Sequence, residues 1–348
     1  MDEGKPVCSI IIPVRNEERS ITKCLDMILS NDYPKDRMEI IVVDGQSDDE
    51  TLKVLQNYIT EHPYAQIKVL KNPKKIAPAG MNIGIKYAKG SVIAIVGAHN
   101  YISKNYLSVA VKYLEENKAE CVGGIGRCIS IDQTPISQAI SFVMNSKFGV
   151  GSSFRTVKKG VRYVDTVPSP VYKKEVFEKV GLFDEDLVRN QDDEFNFRLI
   201  KNGGKILLVP DIVSYYYARD SLLKLWKMYF QYGYFKPLVA QKIGSVLTWR
   251  QLIPAIFVSS LIFTAVLSFF SKFFLWLFFL SVSSYLFANF GFSLTIAIKN
   301  GVKHFSVLPS IFFTLHFSYG LGYLKGIWDF IIHKKHLKKK IEDVPLTR

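Results

Sequence analysis

An α/β fold with a largely parallel sheet flanked by helices, followed by a membrane-spanning C-terminal third, is predicted by three observations. Short β-rich runs alternate with helical patterns through residues 7–117; Lys272 is the single charged residue in 251–298; and three successive apolar stretches follow Arg250. With 48% hydrophobic and 22% charged residues the composition is that of a folded chain, so the information lies in the contrast between its two parts.

The β-rich runs are residues 7–14, 38–44, 67–71 and 91–96, with helical patterns starting near Glu17, Asp48 and Pro78 and another after Ser103. This alternation requires long crossovers between strands, which places the strands parallel. Ligands in such sheets sit beyond the carboxyl ends of the strands. Here those ends are polar, reading Pro13-Val14-Arg15-Asn16-Glu17, Asp44-Gly45-Gln46-Ser47-Asp48-Asp49 and Gly97-Ala98-His99-Asn100, and they are expected to converge on one crevice. Residues 118–215 are mixed: a strand near 120–131, a less regular stretch to about Asp165, a helix over 173–180 closed by Gly181, a second over 192–202 ended by Gly203-Gly204, and a strand over 205–209.

Residues 219–243 set basic and aromatic residues at helical spacing, which suits a helix in the lipid headgroup region. The apolar stretches 252–271, 273–298 and 305–324 each approach the roughly 20 residues that cross a hydrocarbon core. The expected division is therefore a domain over 1–218, an interfacial segment over 219–250, a transmembrane region over 251–332 and a basic tail over 333–348.

The formal charge of +14 includes a net +4 in 333–348, directly beside the last apolar stretch. Basic residues beside a span belong on the cytoplasmic side, where anionic lipid attracts them. Three full crossings from a cytosolic N-terminal domain would put this tail outside, so either one stretch is re-entrant or interfacial or the tail is external. No signal-peptide pattern precedes the first strand, which keeps the N-terminal domain in the cytosol, and the protein is expected at the cell membrane as a multi-pass chain. Cys8, Cys24, Cys121 and Cys128 form no CxxC pair, in keeping with free thiols in a reducing compartment. A nucleic-acid partner rests on charge alone, without a recognition-helix or RNP-like signature, and no GxxxxGK[ST] marks an NTPase.

The segment IIVVDGQSDDET carries two readings. Ser47 to Glu50 forms a capping box after an Asp44-Gly45 loop; equally, an Asp at a strand end accepts hydrogen bonds from a base or ribose. Further signals lie in CSIIIPVRNEE, NPKKIAPAGMNIGIKYAKGSVIAIVGAHN and VGLFDEDLVRNQDDEFNFRLIKNGGKILLVP. In order and spacing the four segments resemble the inverting family 2 glycosyltransferases of GT-A (Rossmann-like) fold, above all the membrane-bound bacterial and archaeal enzymes of the succinoglycan-biosynthesis type. The likeness covers about residues 7–235, and LHFSYGLGYLKG resembles that subgroup's membrane segment.

The resemblance implies transfer of a sugar from a nucleoside diphosphate sugar to a membrane-associated saccharide acceptor. Pro13, Arg15, Asn16 and Glu17 would frame the base, with Asp44 on base or ribose, and Asn82 and Ala98 would border the diphosphate and sugar. Aligning Arg198-Leu199 with the family's EDxxLxxRL pattern puts Asp192 at the catalytic base and Glu194 beside it. Inverting transfer needs such a carboxylate to take the acceptor's hydroxyl proton, although acidic residues also favour a helix start. The family's Asp-x-Asp metal signature reads Gly97-Ala98-His99 here. Either His99 is a single imidazole ligand, which would serve Mn²⁺ better than Mg²⁺, or no metal binds at that point. Gln231 alone survives from the Gln-x-x-Arg-Trp acceptor motif of processive relatives, implying single additions. His316, within the third apolar stretch, either lines an acceptor groove or packs as a hydrogen-bonded neutral residue. The missing Asp at Gly97 leaves open a catalytically inactive member that binds nucleotide sugar or saccharide as an assembly partner.

Overall fold

A computed structural model describes residues 7–151, 153–157, 159–245 and 248–334, so most of the basic tail, residues 335–348, lies outside the described residues. The chain divides into two compact units, residues 1–127 with 153–216 and residues 128–152 with 217–348.

The first unit is built on β1 (Cys8–Val14), α1 (Ile21–Leu29), β2 (Met38–Asp44), α2 (Thr51–Glu61), β3 (Ile67–Lys71), α3 (Ala77–Tyr87), β4 (Val92–Ile95), β5 (Asn100–Ile102), α4 (Tyr106–Glu115) and β6 (Cys121–Ile129). After the excursion into the second unit, which carries α5 (Pro135–Met144), come α6 (Ser153–Thr156), β7 (Arg162–Tyr163), β8 (Val171–Lys173), α7 (Glu175–Lys179), α8 (Gln191–Lys201) and β9 (Ile206–Tyr217). The sheet order is β3-β2-β1-β4-β8-β6-β9-β5, with β7 on β9.

The period of two along the strands sorts their side chains between two cores. Ile10 and Ile12 of β1 and Ile40 and Val42 of β2 join the core under α1 and α4, whereas Ile11, Ile41 and Val43 join the core under α3, α7 and α8. Helix α1 presents Ile21, Cys24, Leu25 and Ile28 to the first core, the i, i+3, i+4, i+7 stripe of a half-buried helix. On the other face Gly84 lets α3 ride directly on β1, since a Cβ there would lie 2.4 Å from Ile11 Cγ2.

Three expectations are corrected. The parallel part is confined to β3-β2-β1-β4; β8 pairs antiparallel with β4 and β6, and β9 antiparallel with β5 and β7. Strands β5, β7 and β8 span three, two and three residues, too short to show any periodicity in sequence. Strand β9 also runs through Pro210 to Tyr217 instead of stopping at Val209. The Ser47–Glu50 capping box does not form: α2 begins at Thr51, and the Ser47 hydroxyl turns to Asp44 and to the backbone of Asn16.

The second unit holds α5, α9 (Leu222–Ile243), α10 (Ile253–Leu267), α11 (Lys272–Asn300) and α12 (Leu308–Gly326), which leads into a π-helical turn over Ile327–Ile332. Helices α9 and α12 touch backbone to backbone: a Cβ on Gly233 would fall 2.1 Å from Tyr319 O, and one on Gly322 2.1 Å from Phe230 O. Small residues that let helices approach this closely are characteristic of packing in lipid. After α5, Phe148 stacks on Phe292 with centroids 4.6 Å apart and meets the His316 ring at 4.7 Å. Among the described residues two helices are long and apolar enough to cross a membrane, Trp249–Leu267 and Lys272–Asn300. Only 22% and 6% of their most apolar windows are buried, unlike the core helices of a water-soluble domain.

Candidate active site

The strand exits of the first unit are hydrogen-bonded to one another. Asn16, in the left-handed region at φ 56°, joins the β1 exit to the β2 exit: its amide N–H donates to Ser47 Oγ at 2.9 Å, its Nδ2 to Asp48 Oδ1 at 2.6 Å, and its Oδ1 accepts from Asp48 N at 3.0 Å. Glu17 N continues the seam to Thr51 Oγ1 at 2.8 Å, and Glu18 N to Asp49 Oδ2 at 3.3 Å. The Asp49 carboxyl is held below its ordinary value; partial burial pushes it up, and the hydrogen bonds from Thr51 outweigh that. Gln46, Lys75, Ser169 and Asn190 also have positive φ at loops leaving β2, following β3, entering β8 and entering α8. Non-glycine residues held this way are concentrated at ligand-binding edges, where surrounding structure maintains the strain.

Within this frame Asp44 is buried, and its carboxylate accepts from Ser47 Oγ at 2.6 Å and from Ser47 N at 3.2 and 3.3 Å. Ser47 thus fixes the carboxylate without neutralising it, and a carboxylate has about four acceptor directions to offer. Arg15 Nε is buried without a hydrogen-bond partner among the described residues. Pro13 packs where a Cβ on Gly80 would meet its own Cβ at 3.3 Å, so the β1 exit lies against the start of α3. Ala98 is 1% exposed and its methyl belongs to the core under α1 and α4, so only its backbone can face a ligand.

His99 Nδ1 stands 3.1 Å from Glu17 Oε1, and its ring meets Tyr216 edge-on at 5.4 Å. The second carboxylate oxygen of Glu17 accepts from Ser20 Oγ. Among the described residues no group of three His, Cys, Asp or Glu side chains could hold a metal ion. The pair does fit a cation that takes most of its ligands from a diphosphate and water, because a carboxylate behind one imidazole nitrogen orients the other outward.

Asn82 is engaged inside the protein. Its Nδ2 donates to Phe183 O and Glu185 Oε1, both at 2.9 Å, and its Oδ1 accepts from Phe183 N at 3.0 Å. Lys74 Nζ reaches Glu185 Oε2 at 2.6 Å. The amide thereby ties α3 to the segment that leads into α8. Partial burial would raise the Glu185 carboxyl, but the Lys74 and Asn82 hydrogen bonds hold it below its ordinary value.

Asp192 is exposed in the first turn of α8, close enough to Tyr172 for its charge to push that phenol upward, after the larger effect of burial. Glu194 points the other way, buried and in a two-pronged ion pair with Arg198 at 2.5 and 2.9 Å. Arg198 also donates to Val180 O and Leu182 O, clamping the loop ahead of α8. Asn196 fastens α8 to Thr166 Oγ1 at 3.0 Å and to Tyr172 at 3.0 Å; a few residues on, Pro170 O accepts from Ile95 N at 2.9 Å, at the end of β4 that leads to His99. Ser47, Glu185 and Arg198 were not among the site residues expected from sequence, because their roles depend on partners at the far end of other loops.

In the second unit Gln231 is buried within α9. His316 has both ring nitrogens engaged, Nε2 with Phe148 O at 2.8 Å and Nδ1 with Tyr285 Oη at 3.2 Å, the geometry of a packing residue.

Residues 9–181 match the family model described as "Glycosyl transferase family 2". Over 324 residues the chain is 33% identical to a dolichyl N-acetyl-α-D-glucosaminyl phosphate 3-β-D-2,3-diacetamido-2,3-dideoxy-β-D-glucuronosyltransferase of Methanococcus voltae, across 92% of this chain and 96% of that protein. The chain belongs to glycosyl transferase family 2. This family 2 glycosyltransferase is also 24% identical over 323 residues to the succinoglycan biosynthesis protein ExoA of Rhizobium meliloti (strain 1021), across 92% of this chain and 95% of that one. Its fold is shared with a mannosyltransferase of Pyrobaculum calidifontis solved in complex with GDP-Man and Mn²⁺, with a TM-score of 0.57, 18% identity, and coverage of 93% and 88% of the two chains. The mixed sheet with helices on both faces is in keeping with a GT-A fold.

Proposed function

We propose that the chain is an inverting glycosyltransferase that takes a sugar from a nucleoside diphosphate donor and adds it to a lipid-linked saccharide at the cytoplasmic face of the cell membrane. The observation that supports this best is the hydrogen-bonded seam across the β1 and β2 exits, which fixes the Asp44 carboxylate, with Arg15 on the same edge where its Cβ lies against Gly45. A carboxylate for base or ribose next to a cation for phosphate is the chemistry a nucleoside diphosphate requires. The acceptor class is suggested by the relative from Methanococcus voltae, whose name specifies a dolichyl phosphate-linked sugar.

In this reading Asp192 accepts the proton of the acceptor hydroxyl as its oxygen bonds to the anomeric carbon. The bond from that carbon to the diphosphate breaks on the opposite face, and its electron pair leaves with the nucleoside diphosphate. Arg198 and Asn196 hold α8, and Asn82 holds the segment before it, so the base is positioned by three residues that need not touch substrate. His99, backed by Glu17, would hold a divalent cation, Mn²⁺ in preference to Mg²⁺. When bound, such a cation offsets charge on the leaving diphosphate.

Residues 1–218 would form the catalytic part, with Trp249–Leu267 and Lys272–Asn300 as two membrane crossings. Two crossings return the chain to the face from which it entered, which would leave the tail over 333–348 on the cytoplasmic side and remove the parity conflict of three spans.

The test is release of nucleoside diphosphate from a panel of sugar nucleotides by membranes containing the full chain. Asp192→Asn is expected to lower turnover by at least about 100-fold, and His99→Ala to abolish the preference for Mn²⁺. Equal turnover in wild type and Asp192→Asn removes the catalytic assignment.

A further inference from the structure

Arg155, in α6, is not among the residues assigned above. Its Nε and Nη1 are both buried and have no hydrogen-bond partner among the described residues. A guanidinium stays charged at any physiological pH, so it cannot escape burial by losing its proton. Buried donors without acceptors are rare in folded proteins, and two on one permanent cation call for an anionic acceptor.

An aromatic ring seats the group. The guanidinium carbon lies 5.5 Å from the centroid of the Phe154 ring. That ring rests on β6 where Gly126 has no side chain: a Cβ there would be 2.8 Å from Phe154 Cδ2 and 3.3 Å from Pro168 Cγ. Pro168 in turn belongs to the strap between α8 and β4. Thr166 accepts from Asn196 at 3.0 Å, Pro168 O and Ser169 O accept from Tyr106 Oη at 2.8 and 3.0 Å, and Pro170 O accepts from Ile95 N at 2.9 Å. Arg155 is thus mounted, through Phe154, on the strap that links the Asp192 helix to the strand preceding His99.

We propose that Arg155 binds a phosphate group of one of the two substrates, its permanently charged guanidinium offering N–H donors to the anionic oxygens. This rests on the transferase reading, in which phosphate enters from two sources: the diphosphate of the donor and a phosphate on the lipid carrier of the acceptor.

The experiment is thermal protection of the full-length protein in detergent, titrated separately with inorganic pyrophosphate, UDP, GDP and undecaprenyl phosphate. Pyrophosphate is expected to protect the wild type, with half-saturation about 10- to 100-fold higher in Arg155→Gln and intermediate in Arg155→Lys. Weakening that extends to UDP or GDP and spares undecaprenyl phosphate assigns the donor diphosphate; the reverse assigns the carrier. If Arg155→Gln does not melt cooperatively, Arg155→Lys carries the test, with half-saturation several-fold above wild type. Half-saturation unchanged for every probe, or no protection of the wild type by pyrophosphate, overturns the proposal. Sugar transfer by a wild type whose Arg155→Gln variant binds all probes equally sinks this site and spares the transferase; Arg155-dependent pyrophosphate protection in a protein that transfers no sugar does the opposite.

Discussion

Asn82 and Asp44 show how differently two polar residues near one edge are used. Asp44 is braced by a single neighbour, Ser47, and keeps acceptor capacity, whereas the Asn82 amide makes three hydrogen bonds to Phe183 and Glu185. Asn82→Ala is therefore expected to act through the position of α8: turnover falls while donor affinity changes little, a separation visible in kcat against KM. The Glu185 bridge adds a pH signature. Its folded-state carboxyl lies below the ordinary 4.5, so its stabilisation is fully present above that value and is lost as the pH falls through the lower folded value. The melting-temperature difference between wild type and Glu185→Gln is expected to be constant near pH 7 and to vanish in the acid range below about 4.5. Its size stays at or below about 1 kcal/mol, since solvent screens a pair this exposed. A difference that grows on acidification would contradict the bridge.

Among the elements, the contact between α9 and α12 depends on the absence of side chains. Gly322→Val would drive a Cβ to 2.1 Å from Phe230 O, whereas Gly291 in α11 has nothing within 4 Å of the same construction. Gly322→Val is expected to destabilise the second unit by about 1–3 kcal/mol or more through overpacking. Gly291→Ala is expected to be neutral or to stabilise by up to about 1 kcal/mol through helix propensity. Detergent-phase melting of the two variants side by side checks both; equal effects would mean the helices do not meet as closely as described. In the first unit the same logic of close approach operates at Gly84 over β1, but there the neighbour is a flexible isoleucine side chain, which can yield where a carbonyl cannot.

For the molecule as a whole, the proposed membrane crossings make a prediction independent of catalysis. Leu286 sits at the middle of α11 and is 45% exposed, so Leu286→Arg would set a charge at the centre of the span. That costs about 2.5–3.5 kcal/mol in insertion. The variant is expected to be depleted from carbonate-washed membranes relative to wild type; for a helix facing water the same change would leave fractionation unaltered.

Much of the first unit was legible because buried strands and half-buried helices leave periodic marks: β1, β2, β3 and the α1 stripe follow from spacing alone. The family could be read for a related reason, since strand-exit polarity recurs at the carboxyl ends that a parallel sheet must use. What the sequence left undecided were features made by distant partners. Residues 128–152 look irregular in sequence, yet α5 and Phe148 pack against α11 and α12 of the second unit. Strands of two or three residues exist only through their pairing with β4 and β9, and the divided use of Asp192 and Glu194, neighbours on one helix, is decided by Arg198. Local periodicity is a property of a segment and survives in the sequence; hydrogen-bond partnership is a property of a pair and is settled only when the chain folds back on itself.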